Sequence, residues 1–89
     1  MSNVFNLFYM TLEILTPEKK LYSGAASSVI LPGVDGSFQL LDKHAPIISA
    51  LKAGKVEYKT DSGTQVLSIV SGFAECLKNK VIVLVEGAK

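Results

Sequence analysis

Arginine and tryptophan are absent from this sequence, and cysteine and histidine each occur only once. Nine lysines and eight acidic residues leave a net charge of +1, and no segment forms a basic stripe. Because nucleic-acid-binding proteins concentrate basic residues and use arginine for bidentate contacts, we expect no nucleic acid partner. Cys76 has no second cysteine to pair with, so an internal disulfide is excluded and a reducing compartment fits the chain.

Long hydrophobic runs are also missing. The longest unbroken apolar run, Val81 to Val85, is far shorter than the ~18 residues of a membrane-spanning helix. The first nine residues are largely apolar but lack the basic residues that open a signal peptide. We therefore expect a soluble intracellular protein. Its hydrophobic share of 48% is high for a chain of 89 residues, so part of the apolar surface is expected to meet a partner.

Helical periodicity is a further absence, because no window of ten residues combines helical apolar spacing with capping residues. Alternation of period two occurs instead, with Leu12 and Ile14, and Val56 and Tyr58, predicted to face inward. Turn signals between short strands predict an all-β fold, a sandwich of about ten strands, in one domain over residues 10–89 behind an N-terminal extension over 1–9. The predicted strands are 10–15, 20–23, 26–31, 38–41, 47–51, 55–59, 66–70, 73–77 and 81–85.

The segment over 32–54 predicts a turn, a strand, a rigid corner and another strand. Pro32-Gly33 and Asp35-Gly36 carry turn chemistry, because glycine accepts positive φ and aspartate bonds its own backbone. Pro46 pushes the residue before it into an extended conformation, so no helix runs through the corner at His44. We interpret the segment as the stiffened edge of a small β domain.

Candidate catalytic and metal-binding residues are few. His44 and Cys76 alone do not make the ligand set of a zinc site. As a general base His44 would need a nucleophile and an orienting acid, and although Asp42 is near in sequence, no serine stands in a nucleophile elbow. A histidine packed at a corner or touching a partner is the simpler interpretation. The carboxylates expected on solvated strand faces are Glu13, Asp42, Glu57 and Glu75.

Ser49 and Lys52 match the Ser-x-x-Lys pattern of penicillin-binding enzymes. That pattern requires a helix, whereas on a strand the two side chains point to opposite faces. We therefore predict no catalytic site, no metal and no cofactor, and a minimal hydrolase using Ser49 or His44 stays an alternative. The main alternative is a small adaptor that binds a peptide along an exposed edge strand.

Several short motifs follow one another in a specific order along the chain. They are Leu12 to Glu18, Leu21 to Gly24, Val29 to Gly36, Leu40-Leu41, His44-Ala45-Pro46, Leu51 to Gly54, Ser71 to Glu75 and Val81 to Leu84. In this order and spacing they resemble the amino-terminal β-sandwich domain of the epsilon subunits of F-type ATP synthases. The resemblance covers nearly the whole chain from Met10 onward.

The resemblance implies a ten-stranded sandwich at the foot of the central stalk, which binds the gamma subunit and rests on the membrane ring of c subunits. Such a subunit turns with the rotor and couples proton or sodium flow to ATP synthesis without an active site of its own. Thr16 and His44 are implied to face gamma, and Asp35, Gly36 and Ser37 to face the c-ring. The implied location is the cytoplasmic face of the bacterial inner membrane, peripheral to it through the complex.

The sequence also departs from the family pattern. Gln39 and Asp42 stand where the family often carries glycine and proline, which leaves the fine geometry of that corner open. Residues 1–9 have no clear family counterpart. Typical members continue after a segment like Val81 to Glu86 into two carboxy-terminal helices that inhibit ATP hydrolysis, whereas this sequence stops at Lys89. We therefore expect no C-terminal helical hairpin, no inhibitory arm and no nucleotide site.

Overall fold

The computed structural model describes residues 9–89, which form nine β-strands and no helix. The all-β prediction is confirmed, with nine strands in place of about ten. Of the N-terminal extension predicted over 1–9, only Tyr9 belongs to the described residues. The strands are β1 (Met10–Leu15), β2 (Lys20–Ala26), β3 (Ser28–Gly33), β4 (Gly36–Leu41), β5 (Ile47–Leu51), β6 (Gly54–Thr60), β7 (Gly63–Ile69), β8 (Ser71–Leu77) and β9 (Lys80–Glu86).

Eight of the strands lie side by side in the order β2-β1-β9-β8-β5-β3-β6-β7, and β4 pairs with β3. The paired strands are antiparallel except β1 and β9, which run in the same direction. The sheet curls so that β2 approaches β6, where the ring centroids of Tyr22 and Tyr58 are 5.0 Å apart. The first layer thus holds β2, β1, β9, β8 and β5, and the second layer holds β4, β3, β6 and β7.

The step from β5 to β6 is one of the connections in which the chain passes from the first layer to the second. Only Lys52 and Ala53 separate these strands, and β3 pairs with the end of β5 and with β6. Gly54 opens β6 rather than ending β5, and it lies against Pro32. A Cβ on Gly54 would lie 2.8 Å from the Pro32 Cβ, so a residue without a side chain is needed where the strand bends.

Pro32 and Gly33 were predicted to form a turn, and this prediction is wrong because both residues belong to β3. The Pro32 carbonyl accepts a hydrogen bond of 2.9 Å from the Lys52 amide. Proline has no N–H to donate, but here its nitrogen faces the break between β5 and β6, so no ladder bond is lost. The turn itself is Val34-Asp35, and Gly36 begins β4 with φ of 129°.

The core lies between the two layers and is built from alternate residues of each strand. Leu12, Ile14 and Val56 are fully buried, as their alternation predicted, and Tyr58 is half-buried against them. Burying one such aliphatic side chain contributes about 1.5–3 kcal/mol, so the buried set determines which face of each strand points outward. The other buried hydrophobic residues are Met10, Ala26, Val29, Leu31, Leu40, Leu51, Ile69, Ala74, Cys76, Val81, Val83 and Val85.

Candidate functional site

Thr16 follows the last residue of β1 and organises the connection to β2. Its hydroxyl oxygen accepts hydrogen bonds from the amides of Lys19, at 3.0 Å, and Glu18, at 3.3 Å. The Thr16 amide in turn donates to the Lys19 carbonyl at 2.8 Å. These local bonds close a tight turn. The half-buried Thr16 is therefore held on fixed backbone at one end of the first layer.

His44 lies exposed in the connection from β4 to β5. Its amide donates to the Leu41 carbonyl at 3.1 Å, and its Nδ1 lies 2.7 Å from the Ala45 carbonyl oxygen. Lys43, directly before it, has φ of 65°, a left-handed conformation that few residues other than glycine adopt. The corner predicted at His44 is thus present, bounded by a left-handed residue before it and by Pro46 after it.

The structure does not bring Thr16 and His44 together. β1, β9 and β5 run in one direction through the first layer, Thr16 follows the end of β1, and His44 precedes the start of β5. The two residues therefore lie at opposite ends of this layer. About six residue steps separate them along the strands, roughly 20 Å at the rise of an extended chain.

The turn predicted to face the c-ring forms an exposed tip between β3 and β4. Asp35, Gly36 and Ser37 are all exposed. The amide of Val34 donates to the Ala50 carbonyl of β5 at 3.1 Å, which places the tip beside the first layer. The structure thus brings the tip next to the outward face of that layer, at the end nearer to Thr16.

The outward face of the first layer carries a row of apolar side chains that crosses four strands and one turn. Pairing places Leu15 beside Leu84, Leu84 beside Phe73, Phe73 beside Ala50, and Ala50 beside Val34. We call these five residues the outer apolar row. Phe73 is 59% exposed, Leu84 50% and Val34 51%, so the row lies largely in contact with solvent.

Two shallow grooves run along the outer apolar row. One, of about 440 Å³, is lined by row residues together with Thr16, Pro17 and Leu51. The other, of about 200 Å³, is lined by Phe73 and Leu84 together with Ile48 and Ile82. Ile48 is 75% exposed, the largest exposure among the large hydrophobic residues of the described chain. A contiguous apolar surface of this kind is typical of a protein interface.

Charged groups of both signs surround the outer apolar row. Glu13, Glu75 and Glu86 lie on the same face, on β1, β8 and β9, and Lys80 of β9 lies there too. Glu13 is 3.7 Å from the Lys20 Nζ, and as a partly exposed pair it contributes little stability. Ser71 donates to Oε1 of Glu86 at 3.3 Å. An apolar centre with a charged and polar rim is the usual anatomy of a protein interface.

The outer apolar row was not predicted from the sequence. Glu75 was expected on a solvated strand face, and Phe73 and Leu77 share that face by alternation, but no apolar surface was inferred from them. The structure turns them outward and buries Ala74 and Cys76, both 1% exposed. Glu75 was the available signal, because a carboxylate between two apolar residues of a strand favours the solvent side.

Residues 9–89 contain no group of three or more side chains suited to hold a metal ion. Cys76 lies in the core, where loss of hydration raises the pKa of its thiol above the ordinary 9.0, while His44 is exposed on the surface. Ser49 is half-buried and donates to the Ala50 carbonyl at 3.2 Å. His44 and Cys76, considered as metal ligands, thus differ in exposure, and Ser49, considered with His44 for a hydrolase, is bonded to the backbone beside it.

The fold and its surface define a class: a small two-layer β-sandwich that presents an apolar sheet face between an ordered turn and an exposed hairpin tip. The described residues include no helix of the length and apolarity needed to cross a membrane.

The family model of the ATP synthase delta/epsilon chain β-sandwich domain matches residues 9–89. The chain is 47% identical over 77 residues to the ATP synthase epsilon chain of Chlorobaculum tepidum, covering 85% of this chain and 88% of that one. It is 45% identical over 80 residues to the epsilon chain of Campylobacter lari, covering 89% of this chain and 62% of the relative. The chain belongs to the ATP synthase delta/epsilon family.

Two solved structures share this fold. A chain in the cryo-EM structure of the Euglena gracilis mitochondrial ATP synthase, with OSCP, F1 and c-ring, aligns with a TM-score of 0.84 at 17% identity, over 91% of this chain and 52% of that one. A chain in the central stalk and c-ring structure of the Tetrahymena thermophila mitochondrial enzyme aligns with a TM-score of 0.75 at 15% identity, over 90% and 65%. At these identities the likeness concerns the fold.

Proposed function

We propose that this chain is a rotor subunit in the central stalk of an F-type ATP synthase, where it binds the gamma subunit and the c-ring and couples proton translocation to ATP synthesis. In this role it has no active site and acts through its contacts. It sits at the cytoplasmic face of the bacterial inner membrane, held there by the complex. Membership of the family and the shape of the exposed surface support this function together.

The observation that carries the proposal is the outer apolar row. Its residues come from strands far apart in sequence, yet they meet in one band on the outside of the first layer. Phe73 stands near the middle of the band and is 59% exposed. Large exposed aromatic residues at the centre of an apolar patch contribute most of the binding energy in many interfaces. We assign this face to gamma.

Thr16 and His44 then lie at the two ends of the face. A gamma surface that touches both must extend along the strands for roughly 20 Å. The β-sandwich measures 39 × 24 × 20 Å along its principal axes, so a contact of this length equals at least about half of its longest dimension. Thr16 lines the groove beside the row. His44 lines neither groove and contacts gamma at the opposite end of the face.

The hairpin tip at Asp35, Gly36 and Ser37 is the proposed contact with the c-ring. It is polar, exposed and adjacent to the outer apolar row through the Val34–Ala50 hydrogen bond. A subunit docked on gamma by the row therefore presents the tip at the edge of that interface. Exposed polar contacts contribute only about 0–1 kcal/mol each, so the tip acts as a unit.

The test of the gamma contact is a titration of the purified chain with its cognate gamma subunit. Phe73→Glu places a carboxylate in the middle of the row and is expected to weaken binding at least tenfold, about 1.4 kcal/mol or more. Val66→Glu is the matched control, because Val66 is 53% exposed on a strand of the second layer. Equal affinity of the two variants, or no gamma binding by the parent chain, would contradict the proposal.

The test of the c-ring contact is proton-coupled ATP synthesis by the assembled enzyme. Asp35→Ala is expected to leave coupling nearly unchanged, whereas deletion of Val34 to Ser37 is expected to abolish it. Because the deletion also removes Val34 of the outer apolar row, its controls are urea denaturation, which checks for an intact sandwich, and Val34→Ala, which removes that row residue alone. Undiminished coupling after the deletion would contradict a functional contact between the tip and the c-ring.

A further inference from the structure

Asn79 occupies the turn between β8 and β9, far in sequence from the corner that carries His44. Lys78 and Asn79 both adopt left-handed backbone conformations, with φ of 50° and 62°, as the tight hairpin requires. Asparagine tolerates this conformation better than most residues, so its presence in the turn has a local explanation. Its side chain has further contacts outside the turn.

The side-chain amide of Asn79 bonds to three groups outside its own turn. Its Nδ2 donates to Oδ1 of Asp42 at 2.8 Å and to the Tyr9 carbonyl at 3.2 Å. Its Oδ1 accepts a hydrogen bond of 2.7 Å from the Lys43 amide. Both polar atoms of the half-buried amide are thus used, and two of the three bonds hold consecutive residues of the β4–β5 corner.

Those bonds fall where the corner backbone is strained. Lys43 has φ of 65°, a conformation that costs a non-glycine residue free energy and persists only when its surroundings hold it. Asn79 binds the amide of this residue and the side chain of the residue before it. The next residue is His44, whose own amide is bonded to the Leu41 carbonyl.

The geometry points to Asn79 as the positioning residue that fixes the Asp42–Lys43 corner and thereby sets where His44 stands. Asn79 does this through the corner backbone and need not touch a binding partner. Asp42, which departs from the family pattern at this corner, acquires a defined role as the acceptor for Asn79. The consequence for gamma binding rests on the proposed function, whereas the placement of the corner does not.

The experiment uses the full chain with Asn79→Gly, which suits the left-handed backbone of the turn but removes all three side-chain bonds. Asn79→Asp keeps an acceptor for the Lys43 amide and loses both donors. Lys78→Gly is the matched control, because it changes the same turn and leaves the Asn79 side chain in place. Chemical denaturation of each variant checks that the sandwich remains folded.

The first readout is made on the free chain. In ¹H–¹⁵N spectra, Asn79→Gly is expected to reduce hydrogen-exchange protection of the Lys43 amide about tenfold and to shift the His44 resonances. Asn79→Asp is expected to retain part of that protection, and Lys78→Gly to retain all of it. Unchanged Lys43 protection and unchanged His44 resonances in Asn79→Gly would overturn the inference, whatever the variant does to binding.

The second readout is affinity for the cognate gamma subunit. Asn79→Gly is expected to weaken binding about five- to tenfold, the effect of one lost positioning hydrogen bond, and Lys78→Gly less than about twofold. If the spectra of Asn79→Gly show a disrupted corner while its affinity for gamma equals that of the parent chain, the corner does not affect gamma binding through His44. If the parent chain itself does not bind gamma, the proposed function fails, and the free-chain spectra alone decide the role of Asn79 in the corner.

Discussion

Gly72 of β8 lies so close to Leu84 of β9 that a Cβ on Gly72 would collide with the Leu84 carbonyl oxygen. The neighbouring backbone of Val85 is also within 3.2 Å of that Cβ position. Because the obstacle is the main chain of a paired strand, it cannot move aside as a side chain can. We expect Gly72→Ala to lower the free energy of unfolding by about 1–3 kcal/mol, measured by urea denaturation.

Ser71→Ala is the control for this substitution, because it changes the adjacent residue and removes only an exposed hydroxyl contact with Glu86. Ser71→Ala is expected to change the free energy of unfolding by no more than about 0.5 kcal/mol. A Gly72→Ala variant as stable as the control would show that β8 and β9 separate without cost at this point.

Leu12 and Phe73 offer a direct comparison of a core and a surface hydrophobic residue on the first layer. Leu12 is fully buried, whereas Phe73 is 59% exposed. Leu12→Ala is expected to destabilise the fold by about 2–5 kcal/mol, and Phe73→Ala by less than about 1 kcal/mol. Urea midpoints of the two variants test this. A large loss of stability in Phe73→Ala would mean that the outer apolar row supports the fold rather than serving as a free surface.

The Tyr9 hydroxyl donates to Oδ1 of Asp61 at 2.7 Å. This hydrogen bond, followed by lost hydration and the negative charge of Asp61, raises the pKa of Tyr9 above its ordinary value of 10.0. A raised pKa favours the protonated hydroxyl in the folded state, so its stabilising contribution is fully present below pH 10 and is lost as the pH rises through the folded pKa.

We therefore expect the parent chain to lose more stability than Tyr9→Phe between pH 9 and pH 11, values roughly one unit either side of a free tyrosine pKa. Urea denaturation of both chains at several pH values measures the difference. Parallel stability curves would show that the Tyr9–Asp61 bond does not contribute in solution.

Lys43 provides a test of backbone strain. A φ of 65° costs a residue other than glycine about 1–2 kcal/mol of folding free energy. Glycine avoids this strain, but ordering its more flexible backbone costs roughly 0.5–1 kcal/mol. Lys43→Gly is expected to stabilise the fold by about 0.5–1 kcal/mol. The gain is expected to be smaller in an Asn79→Gly background, because the corner is then free to relax and Lys43 no longer has to keep the strained conformation. A double-mutant cycle measures this coupling, and equal gains in both backgrounds would argue against it.

We expect the buried thiol of Cys76 to react slowly with thiol reagents. The side chain is 1% exposed, and loss of hydration raises its pKa, so little thiolate is available to a reagent in the folded state. Reaction with a disulfide reagent at neutral pH is expected to follow the rate of global unfolding. Addition of urea should accelerate it in step with unfolding measured by circular dichroism. Rapid labelling of the native chain would place Cys76 in a segment that opens locally.

Much of the fold was predictable because burial imposes alternation on each strand. Leu12, Ile14 and Val56 were assigned to the core from that pattern alone, and each is fully buried. The prediction at Pro32-Gly33 failed because it depends on a distant feature. Whether a proline is tolerated in β3 is decided by the break between β5 and β6. The break itself was predicted, but no local pattern shows that it lies beside Pro32.

The candidate site was less predictable because it is assembled across strands. Leu15, Phe73 and Leu84 become neighbours only once β1, β9 and β8 pair. Within β8 the alternation is clear and Glu75 marks the solvent side, yet the alternation does not show which residues of other strands lie beside Phe73. Thr16 was predicted to follow a strand and His44 to lie at a corner, but their positions at opposite ends of the layer follow from strand direction. Their contacts with gamma stay predictions.

The parallel pairing of β1 with β9 has a consequence for biosynthesis. Leu12 is synthesised 69 residues before Val81, its neighbour in the sheet. At about 5–20 residues per second, the interval is roughly 3–14 s. During that time the nascent β1–β2 hairpin has an open edge and an uncovered apolar face, both of which attract other chains. The native sheet closes only when β9 inserts between β1 and β8, so the risk of aggregation is concentrated before β9 is made.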